Sequence, residues 1–151
     1  VTVTGGTFDT KSYAFQTRNT TISPENNEAV KIESDEAIFY SFSGSENTIE
    51  GGTFTAPTLS KEYTNEDEST LAISGGIFTG LSSDTIVSSS NTDVTISGGS
   101  FTDSYDKKAD ISKYLDDSCE QDVNGNVLPL TKENAAAEIE GKYYKTLADA
   151  I

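Results

Sequence analysis

The chain has 151 residues, a hydrophobic content of 34%, and 25 acidic residues against 10 basic ones, for a formal net charge of −15 and a pI near 4.1. That length fits one domain, and so little apolar material favours a thin, elongated core over a deep one. The negative surface repels phosphate backbones and anionic membranes, and the absence of histidine removes Ser-His-Asp and Cys-His catalysis and the usual zinc sites.

In chain order, the first element is "TVTGGTF" at 2–8, in which Val1 and Val3 alternate with threonine before Gly5, Gly6 and Phe8. The phrase returns as "TIEGGTF" at 48–54, "AISGGIF" at 72–78 and "TISGGSF" at 95–101. Each copy has two glycines and a phenylalanine, Gly51, Gly52 and Phe54; Gly75, Gly76 and Phe78; Gly98, Gly99 and Phe101, and a period-two strand pattern precedes all but the copy at 48–54, where Ile49 stands alone. The first glycines lie 46, 24 and 23 residues apart, so the period is about 23, with one degenerate copy near Glu28 in the 24–46 stretch. A fixed period in the twenties indicates a solenoid.

Between the glycine pairs, "SYAFQT" at 12–17, "AVKIES" at 29–34, "AIFYSF" at 37–42 and "DTIVSS" at 84–89 carry the β-branched and aromatic residues that strands prefer. No helical stripe interrupts residues 1–105. The fold class is therefore all-β, a parallel β-helix of about five coils over residues 1–115, with right-handed crossovers expected. Coils stacked about 4.8 Å apart make a rod about 24 Å long. Glycine serves the corners by allowing positive φ and close backbone approach, and the four phenylalanines are expected to stack inside as one ladder. Tyr13 shares strand parity with Phe15 and is expected to point inward, and no aromatic cluster recurs at the repeat period on an outward face.

The insertion "SKEYTNEDES" at 60–69 is the longest turn and holds the candidate ligand-binding residues Tyr63, Glu66, Asp67 and Glu68. Tyr63 offers a ring for stacking on a sugar, and the acidic run offers weak calcium binding. A solvated loop explains the same charges.

After the last coil, Ile111, Tyr114 and Leu115 stand at helical spacing, suited to an amphipathic turn over the end of the rod. "NGN" at 124–126 favours a hairpin turn between "EQDV" and "VLPL". Asp122, Asn124, Asn126 and Glu133 fit an EF-hand frame in part, but Val127 occupies the position that needs glycine. "LPLT" at 128–131 is a chance match, the sequon at Asn19 has meaning only in a eukaryotic secretory path, and Cys119 reads as a half-buried small hydrophobe. Thr146 is placed to cap a helix beginning at Leu147. The domain plan is a β-helix over 1–115, a closing cap and hairpin over 116–133, and a linker or opening segment of a following unit over 134–151.

The glycine–phenylalanine repeat, with the closing segment 98–130 and the "YKTLADAI" ending, resembles parallel β-helix domains of large adhesin-like surface proteins from Gram-positive gut bacteria. The resemblance implies an extracellular location on the bacterial cell surface, tandem neighbouring units, and a non-enzymatic role in display and extension together with adhesion. A module that recognises a glycan or a host surface or secreted protein is the alternative. A polysaccharide lyase or hydrolase is more remote: Arg18 is the only arginine available as a strong base, and no motif sets one carboxylate pair apart. Neither a catalytic residue nor a required cofactor is read from the sequence.

Overall fold

In a computed structural model, which describes residues 1–62, 67–88 and 91–151, the chain winds as a β-solenoid. The first coil contributes β1 (Thr2–Val3), β2 (Gly6–Thr10) and β3 (Tyr13–Phe15), and the second β4 (Asn19–Ile22), β5 (Val30–Ser34) and β6 (Ala37–Ser41). The third holds β7 (Glu46–Ile49), β8 (Thr53–Thr55) and β9 (Thr58–Glu62), and the fourth β10 (Ser69–Ile73), β11 (Ile77–Leu81) and β12 (Val87–Ser88). The fifth coil supplies β13 (Thr92–Ile96) and β14 (Ser100–Asp103). Like strands of successive coils pair in parallel, giving sheets in the orders β1-β4-β7-β10-β13, β2-β5-β8-β11-β14 and β3-β6-β9-β12. Four complete turns and part of a fifth are therefore present among the described residues.

Register explains the core. In the first sheet Val3, Ile22, Ile49, Ile73 and Ile96 are successive Cα partners, and all five side chains are buried. In the second, Phe54, Phe78 and Phe101 are partners, and their rings stack at centroid distances of 4.7 and 4.6 Å with interplanar angles of 8° and 3°. Such near-parallel stacking adds to the area these rings bury.

The ladder does not run through all four phenylalanines. Phe8 pairs with Ile32, which pairs with Phe54, so an isoleucine separates the first ring from the other three. Phe8 is half-buried and instead tilts against Phe15 at 5.6 Å. The degenerate copy is resolved by the same pairing, which sets Gly6 opposite Val30. Its entry corner, Ser23–Ala29, is longer than the others and folds over the next coil: Asn27 Oδ1 accepts from the Gly52 N–H at 3.0 Å.

The two glycines of each pair do different work. The second, as at Gly52 with φ of 117°, takes a backbone conformation that L side chains avoid. A Cβ on Gly52 would also lie 2.9 Å from the Phe54 ring, so the phenylalanine needs glycine two positions before it. The first glycine makes room for the coil beneath it: a Cβ on Gly75 would stand 2.3 Å from the Glu50 carbonyl oxygen.

The far end of the rod is covered by side chain and backbone together. The expected helical turn is a 3₁₀ turn, Ser112–Tyr114, which follows the fully buried Ile111, while Leu115 bridges to Ile96. An antiparallel hairpin of β15 (Cys119–Gln121) and β16 (Val127–Pro129) then lies across β14. The Val127 N–H donates to Gly99 O at 2.8 Å and the Phe101 N–H to Gly125 O at 2.9 Å. A second hairpin, β17 (Ala137–Ile139) with β18 (Lys142–Tyr144), leads to a short helix α1 (Leu147–Ala150). Thr146 caps that helix as expected, in a reciprocal box with Asp149.

Candidate functional site

The predicted ligand-binding residues do not form a described site. Tyr63 and Glu66 lie outside the described residues. Asp67 and Glu68 are exposed, and the Asp67 N–H donates to Ser43 Oγ at 2.6 Å, which ties the end of the insertion to the turn one coil earlier. Among the described residues, no group of three histidine, cysteine or acidic side chains is gathered for a metal.

Instead, an aromatic and charged cluster occupies the outer side of the third sheet. Tyr13 is not inside. Its ring stacks on Tyr40 at 4.5 Å and 20°, and Lys61 Nζ stands 5.8 Å from the Tyr13 ring centre. Glu36 joins the group, accepting from Lys61 Nζ at 3.3 Å and from Ser12 Oγ at 3.4 Å. The hydrogen bond shared with Tyr13, aided by Lys61, holds the Glu36 carboxyl below the usual carboxylate range, and the same bond raises the Tyr13 phenol. Tyr13 opens its strand, where the chain is still leaving the corner after Thr10, so simple alternation from Phe15 misplaces it. Tyr13 and Tyr40 stand 27 positions apart, which is why a search at the 23-residue period missed the pair.

The outer face of the second sheet is chemically varied. One register row reads Thr7, Lys31, Thr53, Ile77 and Ser100 from coil to coil. Its neighbouring row sets Asp9 opposite Glu33 and Glu33 opposite Thr55. A shallow hollow of about 330 Å³ lies across the first three coils on this face.

Around the cap, carboxylates act as local acceptors. Asp122 Oδ1 takes the N–H groups of Asn124 and Asn126, both at 2.9 Å, and Asn126 Nδ2 donates to Oδ2 at 3.0 Å. These bonds close the hairpin turn, so Asp122, Asn124 and Asn126 of the partial EF-hand frame serve the turn itself. Hydrogen bonds from Asn126 lower the Asp122 carboxyl, those from Ser112 lower Asp110, and those from Ser118 lower Asp116. Each direction suits a permanently ionised acceptor, whereas a general acid in glycoside hydrolysis needs its carboxyl raised. Cys119 is buried, and burial pushes its thiol up, away from nucleophilic reactivity. Among the described residues no helix is long and apolar enough to cross a membrane.

No protein-family model matches the chain, and neither the curated proteins nor the solved structures contain a significant match.

Proposed function

We propose that the chain is a non-enzymatic, extracellular β-helix module of a bacterial cell-surface, adhesin-like protein, serving display and extension. One observation carries this reading: the apolar rows that recur from coil to coil build the stacked interior. The isoleucine row and the stacked phenylalanines recur from coil to coil, whereas an outer row runs Thr7, Lys31, Thr53, Ile77, Ser100. The outer row of the first sheet, Thr2, Thr21, Thr48, Ala72 and Thr95, keeps small residues and carries no recurring aromatic ring or charge. Such a rod gives length from stacked coils alone. Exposed rows of threonine, serine, lysine and acid keep it soluble at high net charge. The resemblance of the repeat to adhesin-like surface domains supports the location, and the hairpin–helix ending supports tandem neighbours.

The test has two readouts. Antibody against the chain should label intact, unpermeabilised cells that make it, and the purified chain should leave pectins, alginates and host glycans uncleaved. Labelling only after lysis contradicts the location. Reproducible cleavage lost on substituting one Asp or Glu contradicts the non-enzymatic role.

A further inference from the structure

Among the described residues the third sheet has one strand fewer than the other two, and its missing fifth member leaves a notch at the capped end of the rod. After β14 the chain does not return as a strand beside β12. It makes the 103–110 turn and the 3₁₀ segment, which fill less space. Two adjoining depressions result, of about 390 and 310 Å³, sharing Ser83 and Asp84 as a common wall. Tyr105 and Asp103 line the first, and Lys113, Tyr114 and Asp110 line the second. Each lies at the lower end of the roughly 300–1,000 Å³ range of small-molecule sites.

We propose that this notch binds a neutral carbohydrate, with the Tyr105 ring as stacking platform and the Asp84 carboxylate accepting from sugar hydroxyls. The Tyr105 side chain is 79% exposed, yet its backbone is held firmly. Asp103 Oδ1 accepts from the N–H groups of Tyr105 at 2.8 Å and Lys107 at 3.0 Å, and the Asp103 N–H donates to Lys107 O at 2.8 Å. An aromatic ring presented on so constrained a turn loses little freedom on binding. Asp84, unlike Asp103 and Asp110, has no hydrogen-bond or ion-pair partner among the described residues, so both its oxygens face the notch mouth or solvent.

This combination fits a ligand with an apolar C–H face and several hydroxyl donors. It does not fit a metal, since Asp103 and Asp110 already hold backbone N–H groups with Oδ1. The net charge of −15 and the three carboxylates at the notch repel uronates and other acidic glycans, which selects the neutral class. The inference is independent of whether the rod is a spacer, because binding without turnover is compatible with that role.

The experiment is an NMR titration of the isotope-labelled whole chain with glucan, mannan, galactan and chitin tetrasaccharides, and with an oligogalacturonate as the acidic control. At least one neutral oligosaccharide should bind at millimolar concentration or tighter, with shifts centred on Ser83, Asp84, Tyr105 and Lys113. Tyr105→Ala should weaken that binding by at least about tenfold, while Tyr105→Phe retains it, since the ring supplies the contact. Tyr105 is exposed, so circular dichroism should show both variants folded. The proposal is overturned by silence from every neutral sugar, by shifts centred elsewhere, by undiminished binding in Tyr105→Ala, or by equal binding of the acidic control.

Discussion

The glycine and phenylalanine of the repeat are one unit, because the ring lies where a side chain two residues earlier would be. A Cβ would meet the ring at 2.9 Å in Gly52 and at 3.0 Å in Gly76. In the second coil both positions change together, to Val30 and Ile32. Ile32→Phe alone should therefore cost about 1–3 kcal/mol by overpacking against Val30. Adding Val30→Gly should recover part of that loss, with a favourable coupling of about 1 kcal/mol in a urea double-mutant cycle. Additive losses would separate the two positions. Gly75→Ala tests the other half of the pair: its Cβ would press on the Glu50 carbonyl, and a loss of about 1–3 kcal/mol in the same assay is expected. A polar counterpart sits inside the first sheet. Buried Asn47 accepts from the Thr20 N–H at 3.0 Å and donates to Ser41 Oγ at 3.1 Å. Asn47→Ala orphans that amide and should cost about 1–3 kcal/mol.

At the scale of elements, the cap decides whether the open strand row at the end of β14 is shielded. Edge rows pair with other chains unless covered. The hairpin reaches this row through Gly125, where a Cβ would lie 2.3 Å from the Phe101 carbonyl oxygen. Gly125→Val should lift the hairpin and produce concentration-dependent association in sedimentation velocity, while the wild-type chain stays unchanged. The cap also has an acid limit. Asp116 accepts from Ser118 and lies 3.7 Å from Lys142, and its carboxyl is lowered in the fold. A carboxyl lowered on folding contributes stability above its unfolded value, near 3.8, and loses it as the pH falls through the folded value. The protection of amides in the 116–130 region, relative to their intrinsic exchange at each pH, should therefore fall below about pH 4, and Asp116→Asn should remove that dependence.

For the whole molecule, the periodic coils and the locally signalled turns were legible, and the breaks in the period were not. Glycine pairs and alternating isoleucines revealed the coils because every coil must repeat them to stack. The break at Ile32 was hidden by the long Ser23–Ala29 corner, which shifts spacing without changing register: Ile22 and Ile49 are partners at a separation of 27, against 24 for Ile49 and Ile73. The Tyr13–Tyr40 stack was hidden for the same reason, and by the corner that turns Tyr13 outward. The capping turn, the first hairpin and the helix cap were readable from local signals, since Asn-Gly and Thr146 act within a few residues. The notch was invisible, because it arises from a strand that is not made. Charge acts at this scale too. Like-charged partners such as Asp9 and Glu33 meet on the outer face of a chain carrying −15, so added salt should raise the melting temperature by screening.

The central claim is that successive coils stack in parallel on a shared interior, and labelled phenylalanine rings test it most directly. With only the phenylalanines protonated in a deuterated chain, nuclear Overhauser effects should connect Phe54 with Phe78 and Phe78 with Phe101, whose ring centres lie 4.7 and 4.6 Å apart. Phe8 should connect to Phe15 and not to Phe54. Contacts between Phe54 and Phe101 without Phe78 between them, or three rings that see only solvent, would contradict the stacked solenoid.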